Sequence, residues 1–335
     1  MRPGSGATAL PTGHSAGAAI DRSAGADARL TGLDALRGIA AIFVLGYHAW
    51  TEFGVFPVFA RSYLAVDFFF MLSGFVMART YEARLVSGTL SPRRFMAVRY
   101  RRLWAPIAVG TAFGLVYQFA SGSPPQAYAI VFGMLLIPDL GMARPYLLNR
   151  PAWSIFFELV ANVVHAVLLS RVRTRWVLAF AAVSAVILFV HSSAIGSIAS
   201  GIRSVGFWAG VPRVLIAYCI GIALWRLRPR IAVPPPAASL LLVGGLLLVP
   251  AGLGWDFAFV LLLCPVLIVF GTTPFGGRAA MLLGGLSFPL YATHFPVMQL
   301  CQLAGFGAIG AMAAALGTAI VTGLLVDGRL LRTAP

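Results

Sequence analysis

The chain has 335 residues, of which 59% are hydrophobic and only 10% are charged, and its formal net charge is +15. This composition excludes an ordinary soluble globular protein and is typical of a membrane protein with several helices. A basic charge of this size would favour nucleic-acid binding in a soluble protein. This chain contains no nucleic-acid module, so membrane topology and attraction to anionic lipids account for the charge.

The chain is predicted to consist of one membrane domain and two short tails. Residues 1–30 are rich in Gly, Ala and Ser without a hydrophobic stretch, which indicates a disordered cytoplasmic tail rather than a signal peptide. Residues 31–326 form the predicted transmembrane domain, and 327–335 form a second cytoplasmic tail. Three cysteines without paired spacing, Cys219, Cys264 and Cys301, lie in apolar segments, so neither a disulfide framework nor a metal site is expected.

Ten long apolar runs recur along the chain, each close to the ~20 residues that a bilayer requires. They lie at about 33–51, 62–81, 103–120, 152–170, 176–192, 209–225, 236–253, 256–271, 281–300 and 304–325. The sequence therefore predicts an all-α, polytopic membrane bundle with about ten transmembrane helices and both termini in the cytoplasm. A further apolar run at 127–137 is too short to span, and we expect a re-entrant or interfacial segment there.

The arginines support this topology, since all 25 basic residues are arginine. With ten spans, eighteen of them lie on the cytoplasmic side and two, Arg37 and Arg79, at span ends. The outer side then carries five: Arg61, Arg144, Arg150, Arg203 and Arg213. This distribution follows the positive-inside rule and predicts a protein of the inner, cytoplasmic membrane.

The first apolar run contains two ionisable residues, Arg37 and His48. Eleven positions at about 100° each place them on one face of a helix, ~16 Å apart along its axis. Charged and titratable groups inside a membrane are costly, which favours a functional role in which both line one passage. The alternative is an arginine that reaches the interface and a histidine bonded to another helix.

The second run carries Asp67 near its outer end, at a depth similar to that of His48. A carboxylate there could orient the imidazole and raise its basicity, or it could simply cap its own helix. The following Ser73-Gly74 pair favours close helix packing over chemistry.

The densest positive charge lies before the third run, where Arg99 and Arg102 are three positions apart. On a helix their guanidinium groups point the same way and could bind phosphate. The alternative is a basic patch on lipid headgroups.

Two later runs complete the polar constellation. Trp153 and Glu158 lie at the start of the fourth run, where Trp153 could stack on a sugar face and Glu158 could bind the sugar hydroxyls. The alternative is that Glu158 forms a structural pair with an arginine. In the ninth run Ser287, Tyr291 and His294 share one helical face, and two prolines predict a broken or kinked helix. The remaining membrane histidines, His165 and His191, are interpreted as structural.

Together these residues resemble the integral-membrane acyltransferase-3 family, bacterial O-acyltransferases that modify exported glycans and some small molecules. The resemblance rests on four blocks in order: Arg37-x10-His48 with LDALRG at 33–38, VDFFFMLSGF at 66–75, Arg99-x-x-Arg102 and WSIFFE at 153–158. A fifth block, YATHFP at 291–296, is similar to the Y-x-x-H-x-P element of the family. It extends over about residues 30–325 and matches the form without an appended hydrolase-like domain.

The resemblance implies an acyl-CoA donor, with acetyl-CoA our expectation, and a hydroxyl acceptor on a glycan or glycolipid. No cofactor is expected to stay bound. The resemblance implies that His48 acts as general base or acyl carrier, that Asp67 is the partner of His48, and that Arg37 lies near the thioester. It implies that Arg99 and Arg102 bind the CoA phosphates. The residues implied on the acceptor side are Trp153, Glu158, Tyr291 and His294.

Two other classes of protein remain as alternatives. A transporter or flippase would also place His, Asp and Glu inside the membrane, although such proteins often show repeated halves with broken helices, which this sequence lacks. A catalytically silent relative could instead scaffold a glycan-export complex.

Overall fold

The computed structural model describes residues 29–228 and 236–327, and the regular elements of these ranges are all helical. The main ones are α1 (Thr31–Phe53), α2 (Ala65–Met77), α3 (Pro92–Ala120), α4 (Ala127–Leu135), α5 (Ala152–Val164), α6 (Thr174–Ser193), α7 (Gly210–Leu227), α8 (Ala237–Leu248), α9 (Leu253–Ala258, continued by Cys264–Gly271), α10 (Gly277–Leu303) and α11 (Ala308–Thr322). Wide π turns prolong α2 (Ala78–Glu82), α5 (His165–Leu169) and α11 (Gly323–Asp327), and one joins the halves of α9 (Phe259–Leu263). Apart from residues 29, 30 and 327, the predicted tails lie outside the described ranges.

Helices occupy all ten places where the sequence predicts a span. Seven of them are long and apolar enough to cross a membrane when the turns joined to them are included: α2, α3, α5, α6, α7, α9 and α11. These turns are the π turns, the 3₁₀ turns Pro57–Phe59, Ser62–Leu64 and Phe207–Ala209, and the short helix Ala83–Val86. Helices α1 and α10 are long enough, with 23 and 27 residues, but are less apolar than the seven. Helix α8 is apolar but has only 12 residues. A total of ten crossings therefore stays a prediction. As expected, α4 is too short to span, since its nine residues extend about 13 Å.

Helix α3 begins earlier than its apolar run. Ser91 caps it by accepting a hydrogen bond from the Arg94 amide at 3.3 Å, and Pro92 occupies the first turn, where its missing N–H costs nothing. The helix therefore includes the basic segment, and Arg99 and Arg102 lie on the same helix, as predicted.

Close helix packing builds the centre of the bundle. Helix α1 packs mainly on α10, and α2 packs mainly on α7. A methyl group on Gly74 would overlap the Tyr218 carbonyl of α7, and one on Gly221 would overlap the Met71 carbonyl of α2. The two backbones approach this closely only because glycine stands at both positions, which confirms the packing role predicted for Gly74.

The peripheral helices expose apolar side chains. On α6, Val186 and Val190 are 65% and 66% exposed, and on α11 Ile309 is 75% exposed. Contiguous apolar surface of this kind marks a face that water does not cover. The surroundings that suit these faces are lipid tails, in agreement with a membrane protein.

Two prolines lie within α10, which is nevertheless continuous. Of the predicted broken or kinked helix, the break is therefore wrong, and the kink stays a prediction. Pro296 has no N–H to donate to the Ala292 carbonyl one turn earlier. Asn149, from the loop before α5, donates its Nδ2 to that carbonyl at 2.9 Å. This replacement bond keeps the backbone satisfied inside the bundle.

Candidate active site

A cavity lined by α1, α2, α3, α5 and α10 contains the arginines of the sequence motifs. Its volume is about 110 Å³, and its polar wall includes Arg37, Arg99, Arg102 and Glu158. We call it the Arg99 cavity. The structure thus brings Arg37 together with the Arg99-x-x-Arg102 motif, although about sixty residues separate them in the chain.

Glu158 lies in the Arg99 cavity as one member of a buried ion pair. Its Oε1 accepts hydrogen bonds from Arg99 Nη2 at 2.8 Å and from Ser73 Oγ at 2.7 Å. Only 3% of Arg99 is exposed, so its charge is held by Glu158, while Arg102 on the same wall is half-buried. Glu158 therefore forms the pair with an arginine that the sequence offered as one alternative, while its contact with an acceptor stays a prediction. Ser73 contributes a hydrogen bond to this site.

Arg37 reaches the Arg99 cavity from α1. Its Nη1 lies 3.5 Å from Asp34 Oδ1, and Asp34 also accepts from Arg29 Nε at 2.6 Å. The guanidinium is half-buried, which suits a cation at the wall of a cavity.

His48 faces a second cavity, which we call the His48 cavity. It has a volume of about 640 Å³, and its wall includes Trp153, Arg150, Arg203 and His191 as well as His48. Trp153 and Glu158 consequently face different cavities and do not form one acceptor site. His191, interpreted as structural from the sequence, lines this cavity as an exposed residue, and its isolated position in the chain gave no signal of that.

His294 lies behind His48 rather than on the cavity wall. The two ring centroids are 5.0 Å apart, and Phe295 lies 4.9 Å from His48 on another side. His294 Nδ1 is 2.9 Å and 3.0 Å from the carbonyls of Leu290 and Tyr291, so it carries the proton and Nε2 is the acceptor. That Nε2 and His48 Nδ1 are both buried without a hydrogen bond to the described protein. His294 therefore contacts His48, and its predicted role toward the acceptor stays a prediction.

Asp67 does not pair with His48, which corrects the contact expected from the sequence. Both of its carboxylate oxygens accept from Arg213 of α7, at 2.9 Å and 2.7 Å, and both residues are almost fully buried. Arg213 also lies 5.4 Å from the Trp153 ring. The sequence did carry a signal: Arg213 falls within the sixth apolar run, where an arginine needs a carboxylate partner.

Tyr291 and Val66 line both cavities and separate them. The Tyr291 hydroxyl lies 2.6 Å from Ser154 Oγ, which joins α10 to α5 across this boundary. The single passage predicted for Arg37 and His48 is therefore two cavities that meet at a wall of side chains. Tyr291 is at the boundary where a group entering from one side would approach a group from the other.

Comparison with known proteins identifies the family. A family model described as an acyltransferase domain, acyltransferase 3, matches residues 30–326, which include both cavities. The chain belongs to the acyltransferase-3 family. This confirms the resemblance drawn from the five sequence blocks.

A relative of this acyltransferase is the "Protein 2 in picA locus" of Rhizobium radiobacter. The two are 38% identical over 180 residues, which cover 48% of this acyltransferase and 93% of the relative. No solved structure matches the chain.

Proposed function

We propose that this membrane acyltransferase moves an acyl group, with acetyl our expectation, from acyl-CoA to a hydroxyl of a glycan or another hydroxylated acceptor. The observation that supports this proposal best is the meeting of two cavities at Tyr291 and Val66. Arg37, Arg99 and Arg102 line one cavity, and His48, with His294 behind it, lines the other. A two-substrate reaction needs two such approaches, with the reacting atoms at their boundary.

The Arg99 cavity is the proposed donor side. CoA carries its phosphates at one end of the molecule and its thioester at the end of a long arm, so it suits cations at a cavity mouth and chemistry deeper in. Arg102 would bind a phosphate, since a guanidinium fits it with two hydrogen bonds. Arg37 would lie along the arm, and the arginine distribution of the chain supports a cytoplasmic location for this side.

The His48 cavity is the proposed acceptor side, with His48 as general base. The acceptor oxygen attacks the thioester carbon while its proton passes to His48. The carbon–sulfur bond then breaks, the CoA thiolate takes a proton from His48, and the products are the acylated acceptor and free CoA. In a two-step alternative, His48 itself carries the acyl group and then passes it to the acceptor.

His294 supports the proposed role of His48 better than Asp67 does. If His48 donates Nδ1–H toward the free Nε2 of His294, then His48 Nε2 keeps its lone pair for the acceptor proton. A base held in one tautomer by a neighbour is the arrangement that general-base catalysis requires. Asp67 would act at a distance from the chemistry, by fixing Arg213 beside Trp153.

Replacing Arg102 by glutamine is expected to raise the KM for acyl-CoA about tenfold or more, with a smaller change in kcat. The loss of a hydrogen bond to a charged phosphate costs roughly 1.5–3 kcal/mol, which corresponds to that change in affinity. Steady-state kinetics of acetyl-CoA turnover in membranes measure both constants. Arg93→Gln is the matched control, because Arg93 is an exposed residue of α3 outside the cavity wall. An unchanged donor KM in the Arg102 variant would assign Arg102 to lipid headgroups instead.

The proposed function is tested by mass spectrometry of envelope glycans and extracted metabolites from three cell lines. These express the wild-type chain, the His48→Ala variant or no protein. We expect an acyl mass increment, such as that of acetyl, on one species only in cells with the wild-type chain. No difference between the three lines, with both proteins inserted at equal levels, would favour transport or a scaffolding role over acyl transfer.

A further inference from the structure

The wall of the His48 cavity is rich in positive charge. Four arginines line it (Arg144, Arg150, Arg203 and Arg213), and Glu52 is the one acidic residue among its described lining residues. Three of the four come from connecting loops, and Arg213 comes from the first turn of α7. The excess of cations occurs on the side where His48 lies. In the topology predicted from the sequence this end faces away from the cytoplasm, where the positive-inside rule does not favour arginine.

Among the residues that the structure describes, two of these arginines have acidic partners and two do not. Arg213 is paired with Asp67, and Arg150 Nη1 lies 3.1 Å from Glu52 Oε1. Within residues 29–228 and 236–327, Arg144 and Arg203 form no salt bridge with an acidic side chain. The wall therefore keeps two charges that the described protein does not compensate.

Hydrogen bonds connect the two loops that carry Arg144 and Arg203. The Ser204 amide donates to the Ala143 carbonyl at 3.2 Å, and the Ser204 hydroxyl donates to the Met142 carbonyl. These bonds hold the residues next to Arg144 and Arg203 against each other. Burial lowers the pKa of Arg150, Glu52 opposes that shift, and the nearby charge of Arg144 adds to it. Arg144 is half-buried and Arg203 is exposed, and both line the cavity, so both charges are accessible to an anion there.

We propose that the His48 cavity takes an acceptor that carries a phosphate or carboxylate group in addition to the hydroxyl to be acylated. The inference rests on the proposed function and narrows its acceptor to an anionic class. Arg144 and Arg203 would bind the oxyanion, and Arg150 would also bind it if the ion pair between Arg150 and Glu52 broke. Guanidinium groups are well suited to this role because they bind carboxylate and phosphate with two parallel hydrogen bonds. The cavity, at about 640 Å³, has room for a sugar unit together with its anionic group.

The test measures the charge of the wild-type product and its dependence on these arginines. The acylated species that depends on His48 is separated on an anion-exchange column before mass spectrometry. We expect the column to retain it. We also expect its yield to fall at least about tenfold in the double variant Arg144→Gln/Arg203→Gln, because two charge-assisted hydrogen bonds are lost. The matched control is Arg93→Gln/Arg94→Gln, which removes two exposed charges from the opposite end of the bundle and should keep its yield within about twofold of wild type.

Each other outcome has a distinct meaning. A product that passes the column as a neutral molecule overturns the inference and leaves the acyltransferase function standing. A charged product whose yield per inserted protein is unchanged in the double variant overturns the role of Arg144 and Arg203 and assigns them to anionic lipid headgroups. If wild-type cells contain no acylated species at all, the proposed function itself fails, and this inference fails with it.

Discussion

Replacing His48 by alanine is expected to lower acyl transfer by about 10²- to 10⁴-fold, the range that general-base catalysis contributes. His48 lies on the wall of the larger cavity, is half-buried, and has the proton-accepting nitrogen of His294 behind it. Alanine removes the base without adding volume to the packed centre of α1. Protein abundance in the membrane and the melting temperature in detergent should therefore stay close to wild type. The measurement is the rate of acylated product formation per inserted protein.

The matched control for this variant is His191→Ala. His191 lines the same cavity, but it is exposed and lies at the end of α6, so its removal should change the rate only a few-fold. Normal transfer by the His48 variant would rule out the catalytic assignment. An acyl group found on His48 after rapid quenching of the wild-type reaction would select the two-step route over direct transfer.

Replacing Asp67 by leucine is expected to destabilise the protein by about 3–5 kcal/mol, because it leaves Arg213 buried without its counter-charge. Both groups are almost fully buried, and Asp67 accepts two hydrogen bonds from the guanidinium. The double variant Asp67→Leu/Arg213→Met removes both charges and should recover most of this loss. Melting in detergent, followed by the loss of soluble monodisperse protein, measures all three chains.

The same variants decide how Asp67 acts. If it serves to hold Arg213, the protein that remains folded in the single variant keeps a turnover within a few-fold of wild type. A variant that melts at the wild-type temperature but has lost turnover would contradict this account. It would restore the role that the sequence suggested for Asp67 as the partner of His48.

The helices were predictable because the membrane imposes a strict rule on the backbone. Every apolar run must satisfy its own N–H and C=O groups, and each of the ten runs is helical in the structure. The ends were harder to predict. Helix α3 extends into the basic segment because Ser91 and Pro92 form a good helix start there, whereas α8 stops at Leu248, before Pro250. Hydropathy alone follows apolar side chains and does not detect such caps.

Which motif residues lie near one another was partly predictable, but their pairings were not. Helical periodicity correctly predicted that Arg99 and Arg102 lie on the same cavity wall, because residues three positions apart share one face of a helix. The partner of Asp67 was missed because 146 positions separate it from Arg213, and only the close packing of α2 on α7 brings the two together. Likewise, the contact between His48 and His294 depends on how α1 lies on α10. The wall formed by Tyr291 between the two cavities also has no signature in the spacing of residues.

The most direct test of the account is the release of free CoA from acetyl-CoA by membranes that contain this acyltransferase. The thiol is measured together with acetyl groups transferred to the extracted envelope material. We predict that wild-type membranes release one CoA for each acetyl group transferred and that membranes with the His48→Ala variant release only the background amount. Acetyl-CoA turnover that is equal in the two membranes, or that is absent from both while the proteins are inserted and folded, would contradict the central claim that His48 catalyses acyl transfer from CoA.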